Sequence, residues 1–365
     1  MSRIILSVVG ARPNFMKVAP IARVFAARST VRHVIVHTGQ HYDPEMSDAF
    51  FHDLGLPRPQ ANLEVGSGSH AQQTAAIMQR FEPVLLDVRP DLVLVYGDVN
   101  STVATALVAT KLGVPVGHVE AGLRSRDWSM PEEINRVVTD RLSDLLFAPS
   151  RDAVENLRVE GVPAERVHFV GNIMIDSLVA LLPEARRRNG LARHGVAERG
   201  YALVTLHRPA NVDDPTTLRE VLGALDELGA DYPVLFPVHP RTQARVRALD
   251  WASRHAGLHF MPPIPYTEML GLTLGAGLVI TDSGGVQEET TYLGVPCLTV
   301  RPNTERPITC IRGTNRLVAA NRAAIIAAAH ERWGRYSPDG CAIERWDGHT
   351  AERIAAVVCD GERFD

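Results

Sequence analysis

With 365 residues, 45% of them hydrophobic, the chain can bury a large core and is long enough for two domains. A formal net charge of −4, with no basic stripe interleaved with aromatics, excludes a nucleic-acid partner and is too mild for a disordered acidic chain. No apolar run approaches membrane length, Ile4 to Val9 is too short for a signal-peptide core, and Cys297, Cys310, Cys341 and Cys359 form no Cys-x-x-Cys, so a cytoplasmic protein with free thiols, no membrane partner and no metal is expected.

Ile4 to Val9 reads as a first parallel strand running into Gly10-Ala11-Arg12-Pro13, with Lys17 early in the helix that follows. Arg12 and Lys17 place two cations at one helix amino end, which welcomes a phosphate unless both are merely solvated; the glycine spacing of a dinucleotide turn is absent. Val34 to His37 is a second strand, leading into the polar loop Thr38 to Asp43, and Gly66 to His70 is a flexible link with no Lys-Ser/Thr pair to close a phosphate loop. Leu92 to Tyr96 is the next buried strand, after which Gly97 to Ser101 opens a helix that runs to Lys111 and stops at Gly113. Asp98 either caps that helix or stands at the carboxyl edge of the sheet for chemistry. Val114 to Val119 ends in Glu120 at the same level. Pro131 suits the first turn of a helix on which Glu132 and Arg136 lie one turn apart on a single face, beside Glu133. The competing reading makes Glu133 and Arg136 a solvated helix surface and Glu120 a loop residue. Leu145 to Ala148 and Val167 to Val170 complete a strand and helix alternation typical of a doubly wound parallel sheet.

From Leu181 to Gly200 the sequence turns charged and arginine-rich, and the spacing places the linker and its flanking helix there. A second alternation follows: Ala202 to Thr205, ending in Leu206-His207-Arg208-Pro209, then Val234 to Val238, Leu278 to Thr281 and Leu298 to Val300. Thr281-Asp282-Ser283-Gly284-Gly285 reads as a pyrophosphate seat, because small residues let the backbone approach a ligand and the next helix turns its free N–H groups on an anion. Glu289, about a turn into that helix, is either an acceptor for ribose hydroxyls or a surface acid. The expected organisation is α/β with two Rossmann-like doubly wound parallel-sheet domains, residues 1–180 and 181–349, the C-terminal helix 350–365 crossing back to the first.

These motifs together resemble the non-hydrolysing UDP-N-acetylglucosamine 2-epimerases. The resemblance runs through GARPNFMK near the start, YGDVNST at 96–102, HVEAGLR at 118–124, MPEEINR at 130–136, TLHRP at 205–209, TDSGGVQEE at 281–289, TERP at 304–307 and RGTNRLV at 312–318. It implies the GT-B architecture, with two domains facing a central cleft, and reversible C2 epimerisation of UDP-N-acetylglucosamine through UDP elimination, without a cofactor, for surface polysaccharide precursors. The expected partners are a UDP-sugar and a second copy of the chain. The resemblance assigns Asp98, Glu120 and Glu132 to acid–base work. It places Arg12, Lys17, Arg136, His207, Ser283, Gly284, Gly285, Glu289 and Arg306 around UDP and the sugar, with His207 among the catalytic groups.

The chain departs from that family's pattern in places. Asn14 and Ala210 stand where glutamates are usual, and Met269 aligns with a phenylalanine set against uracil, three residues after Tyr266. Asp43 replaces a glutamine and Ala76 an arginine of the site where many bacterial members hold a second UDP-N-acetylglucosamine as activator, while His239 is kept; weak or absent activation is expected. Four other readings compete, of which a non-catalytic sugar-nucleotide sensor would not require so many acids near an anionic ligand. An NAD-dependent C4 epimerase needs a Tyr-x-x-x-Lys pair that no tyrosine here supplies. A GT-B glycosyltransferase shares nucleotide-sugar seats but does not need the carboxylate trio. A related 2-epimerase of UDP-2,3-diacetamido-2,3-dideoxy-glucuronate is not excluded by the motifs.

Overall fold

The computed structural model describes residues 2–39, 54–188, 190–337, 340, 342–361 and 363–364, the Arg12 side chain excepted. Residue contacts divide the chain into two units, Met1–Ser177 with Glu344–Asp365, and Leu178–Ile343.

In the first unit the described strands are β1 (Arg3–Val9), β2 (Val31–His37), β3 (Ala61–Asn62), β4 (Leu92–Tyr96), β5 (Val116–Val119), β6 (Leu145–Ala148) and β7 (Val167–Phe169). They lie in the order β3-β2-β1-β4-β5-β6-β7, and every pairing is parallel. Their apolar runs follow from that: a parallel strand is covered by helices on both faces, and all of Leu92–Tyr96 is buried. The chain begins mid-sheet, walks outward to β3, then returns past β1 to β4, so the order reverses between β1 and β4. Ligands of such sheets gather outside the carboxyl ends of the strands at that reversal. Gly97-Asp98 follows β4 there, and Glu120 follows the adjoining β5, whose Val119 pairs with Tyr96.

The second unit repeats the plan with β8 (Ala202–Thr205), β9 (Val234–Pro237), β10 (Leu258–Met261), β11 (Leu278–Thr281), β12 (Cys297–Val300) and β13 (Asn315–Val318), ordered β10-β9-β8-β11-β12-β13. Its reversal falls between β8 and β11, where Thr205 pairs with Thr281. His207 and Asp282-Ser283 follow directly from those two strand ends.

Three strands carry no run of buried apolar residues and escape the sequence reading: β3 spans two residues, β10 is mostly exposed, and β13 begins with Asn315-Arg316. The linker expected from Leu181 instead begins inside a continuous helix, Ile173–Arg187. Leu178, Leu182 and Ala185 recur at helical spacing and pack on the second unit's core, so the division falls at Ser177, within the helix. The return to the first unit begins at Glu344, before the helix Thr350–Ala355. Trp346, almost fully buried, donates from its indole to the Pro149 carbonyl at 2.9 Å, and Asp176 accepts the Thr350 and Ala351 amides at 3.1 and 2.7 Å. Among the described residues no helix is long and apolar enough to cross a membrane, and Cys297, Cys310 and Cys359 are free thiols; Cys341 lies outside them.

Candidate active site

In the first unit two ion pairs stand on neighbouring positions of one strand edge. Arg136, 3% exposed, reaches Asp98 with one guanidinium nitrogen and Glu133 with another. Lys17, from the helix Arg12–Ala26, pairs with Glu120, and both are buried. The Lys17–Glu120 pair lies against Gly97. A Cβ there would lie 2.7 Å from Lys17 Nζ and 3.2 Å from Glu120 Oε2, so the bare backbone of Gly97 forms the floor on which that pair rests. Glu120 itself adopts φ +75°, a left-handed conformation that costs a non-glycine residue about 1–3 kcal/mol and is held by the surrounding packing. Its amide and that of Ala121 share the Phe147 carbonyl, each at 3.1 Å, which turns the chain sharply at the end of β5.

The structure overturns several local expectations. Val99 stands at the N-cap of the helix Asn100–Lys111, and the Asp98 carboxylate pairs with Arg136. Arg136 takes Glu133 and Asp98 as partners rather than Glu132, and neither Glu133 nor Arg136 is a solvated surface. Glu133 accepts the Ser125 and Arg126 amides at 2.9 and 2.8 Å and so holds the loop after β5. Glu132, in the first turn of the helix Pro131–Leu142, is half-buried, and its carboxylate makes no hydrogen bond among the described residues. Asn14, where the family resemblance leads one to expect a glutamate, accepts the Gly10 and Ala11 amides and donates to the Tyr96 carbonyl at 2.9 Å. An ionised carboxylate could not do both, and the bond to Tyr96 ties the turn after β1 to the end of β4.

One group beneath this edge was not singled out from sequence. His118, fully buried on β5, bonds the Asp140 carboxylate at 2.6 Å through Nδ1 and the Gly97 carbonyl at 2.8 Å through Nε2. Burial alone would raise the Asp140 carboxyl, but His118 and then Arg124 outweigh it and hold it below the usual carboxylate range. The imidazole thus fastens the turn that carries Asp98 to the helix that carries Glu132 and Arg136. A histidine in an apolar strand gives no sign of this until the partner 22 residues on is in place.

In the second unit the site forms around the turn after β11. Asp282, fully buried, accepts the His207 amide at 3.0 Å, the Arg208 amide at 2.9 Å and the Asn211 side chain at 3.1 Å, and sits 3.1 Å from His207 Nδ1. These partners more than offset the burial that would raise its carboxyl, which stays below the usual range. Asp282 therefore fixes a half-exposed imidazole by one nitrogen and leaves its other edge turned away. Asn211 also donates to the Val300 carbonyl at 2.9 Å, whereas Ala210, at the other departure, is exposed.

Ser283 is the N-cap of the helix Gly284–Leu293, and its side chain makes no capping bond. Arg306 is held from two sides, by Glu288 at 2.7 Å from Nε and by Glu305 on Nη1. Glu289 accepts the Tyr266 hydroxyl at 2.8 Å; burial pushes its carboxyl up to about 7, with the Tyr266 bond pulling down and Glu288 pushing further up. Glu289 is buried, which removes the surface-acid reading. Met269 is half-buried against the core that Leu270 and Leu272 complete. The Arg12 side chain and Gln40-His41-Tyr42-Asp43 lie outside the described residues. His239 caps the helix Pro240–Ala248, its ring 5.8 Å from that of His207.

A sequence profile described as UDP-N-acetylglucosamine 2-epimerase matches residues 23–359. The chain is 43% identical over 359 residues to the UDP-2,3-diacetamido-2,3-dideoxy-D-glucuronate 2-epimerase of Pseudomonas aeruginosa, covering 97% of this chain and 99% of that one. It is 40% identical over 367 residues to the UDP-N-acetylglucosamine 2-epimerase of Methanocaldococcus jannaschii, covering 97% and 98%. The crystal structure of the Methanocaldococcus jannaschii enzyme in complex with UDP-GlcNAc and UDP superposes with a TM-score of 0.90 at 39% identity, over 98% of this chain and 100% of that one.

Proposed function

Since the chain belongs to the UDP-N-acetylglucosamine 2-epimerase family, we propose that it interconverts UDP-N-acetylglucosamine and UDP-N-acetylmannosamine by eliminating and re-adding UDP. The C2 hydrogen of the sugar lies beside no carbonyl and is hardly acidic. Its loss becomes feasible when the electron pair left at C2 forms a C1–C2 double bond as the C1–O bond to UDP breaks. That yields a 2-acetamidoglucal and UDP. Return of UDP to C1 with delivery of a proton to the opposite face of C2 completes the inversion, and atoms balance with one proton out and one in. No oxidant is required, because the sugar leaves in the oxidation state in which it entered.

The observation that carries this reading is the pairing of Asp98 with Arg136 and of Glu120 with Lys17 at one strand edge. A carboxylate positioned by a fixed cation can take or return a proton in a set direction, and removal and return on two faces need two differently placed groups. Asp98, Glu120 and Glu132 divide that work in this proposal. UDP lies against Ser283 to Gly285, where helix amides meet the pyrophosphate, with Arg306 and His207 on the charge that develops as the C1–O bond breaks and Glu289 on the ribose.

A second reading keeps the chemistry and changes the sugar to UDP-2,3-diacetamido-2,3-dideoxy-glucuronate. The near full-length identity to the Pseudomonas aeruginosa enzyme favours it, and that identity is close to the one with the Methanocaldococcus jannaschii enzyme. Each UDP-sugar offered separately and followed by proton NMR distinguishes the two. The first reading expects an equilibrium mixture of gluco and manno epimers from UDP-N-acetylglucosamine, with kcat lowered about a hundredfold in Asp98→Asn and Glu132→Gln. Epimerisation of the diacetamido sugar alone establishes the second, and full kcat in both amide variants removes the carboxylates from the chemistry.

A further inference from the structure

We infer that Glu305 is a positioning residue for the UDP leaving group: a buried carboxylate that gathers the guanidinium groups of Arg208, Arg301 and Arg306 against the amino end of the helix Gly284–Leu293. The inference deepens the reading of that turn as the pyrophosphate seat and rests on it.

Glu305 is 3% exposed, in the loop after β12. Its Oε2 accepts from Arg301 Nη2 at 2.8 Å, its Oε1 contacts Arg306 Nη1, and Arg208 Nη2 stands 4.0 Å from Oε1. Arg306 Nε also lies 2.7 Å from Glu288 Oε1, an ion-pair contact without hydrogen-bond geometry. A guanidinium has a fixed planar fork, so the bond from Nη1 to Glu305, with Glu288 drawn close to Nε, restricts the orientation of the whole plane. The loop is fastened to the same helix by Thr304, which accepts the Arg306 amide at 3.1 Å and donates to Gln287 at 2.7 Å. A Cβ on Gly284 would lie 2.5 Å from Arg306 Nη1 and 2.7 Å from Glu305 Oε1, so the cluster packs directly on the backbone where the helix begins.

The charge balance gives the purpose. Three guanidinium groups face the Glu305 and Glu288 carboxylates, so Glu305 takes up part of the positive charge gathered beside a helix amino end. A buried acid at an anion seat weakens the attraction for the anion and costs desolvation; what it supplies in return is a fixed direction for cations that would otherwise repel one another. Direction matters most when charge is developing. As the C1–O bond breaks, negative charge grows on the β-phosphate oxygen, and a guanidinium already aimed there stabilises the transition state more than the bound substrate. Glu305 thus acts on the reaction through Arg306, without touching the sugar nucleotide.

The test compares Glu305→Asp and Glu305→Gln with wild type, using UDP binding by calorimetry, steady-state kinetics with the UDP-sugar and thermal melts without ligand. The Asp variant keeps the charge and the ion pairs that help the unit fold, but withdraws the carboxylate by one methylene. It is expected to lose on the order of tenfold to a hundredfold in kcat, the scale of a misplaced group, with KM within about threefold. The Gln variant is expected to bind UDP more weakly than wild type. Tighter UDP binding in Glu305→Gln, or wild-type kcat in Glu305→Asp, overturns the inference, because Glu305 then only dilutes positive charge. If Glu305→Gln fails to fold, the kcat of Glu305→Asp alone decides. Absence of UDP binding by the wild-type protein sinks the pyrophosphate seat itself, a different outcome from equal binding by wild type and both variants.

Discussion

Glu289 carries the pH dependence that belongs to single residues. Burial pushes its carboxyl to about 7, so between the ordinary carboxylate range and that pH the folded protein holds a proton that the unfolded chain has released. Its contribution to stability is therefore lost progressively as pH rises through this window. Ribose hydroxyls that donate to Glu289 favour the ionised form, and a UDP-sugar, whose pyrophosphate is a diester, brings no titrating group of its own near neutrality. Affinity for the UDP-sugar should thus rise between pH 6 and 8, by roughly tenfold, with the rise removed in Glu289→Gln. Isothermal titration at several pH values checks this, and an equal slope in the variant takes Glu289 out of the nucleotide contacts. The helix position of Glu289 is legible in the sequence, but the distant partner of Arg136 is not. Spacing on one helix points to Glu132, whereas the third dimension brings Asp98 from 38 residues away. His118 with Asp140 and His207 with Asp282 are likewise pairs between distant segments, which no local pattern announces.

At the scale of elements, the turn after β4 joins backbone geometry to the site. Gly97 has φ +63° and Gly113, closing the next helix, has φ +72°, so alanine at either position strains the backbone by about 1–2 kcal/mol. Around Gly113 a Cβ meets nothing within 4 Å, while at Gly97 it displaces Lys17 Nζ from Glu120. Urea denaturation should show a loss of stability in Gly113→Ala and a larger one in Gly97→Ala, and only Gly97→Ala should lose kcat, by about tenfold or more. Full activity in Gly97→Ala detaches the Lys17–Glu120 pair from the reaction. Elements were legible where burial is two-sided: β4, β6, β8 and β11 lie at the bounds their apolar runs predict. Val114-Pro115 is the exception inside such a run, since β5 starts only at Val116. Proline has no N–H for a sheet ladder, although its carbonyl accepts the Val93 amide at 2.9 Å. The edge strands β3, β10 and β13, partly solvated or polar, leave no such run to find, whereas the edge strand β7 keeps one.

For the whole molecule, labour is divided between two units that each reverse strand order once. The proposed acids follow β4 and β5 in the first, and the proposed UDP seat follows β8 and β11 in the second. The repeated alternation of strand and helix made this plan readable from sequence. The exact crossing was not, because the helix Ile173–Arg187 keeps its apolar spacing through the division and its charged end looks like a linker. In the proposed reaction C2 exchanges its hydrogen with solvent while UDP is detached, and turnover of UDP-N-acetylglucosamine in D2O, without added cofactor, reads that exchange by proton NMR and mass spectrometry. One deuterium is expected at C2 in the manno product and, as the reaction reverses, in the recovered gluco epimer. Epimerisation with the original C2 hydrogen retained in both would contradict the elimination of UDP.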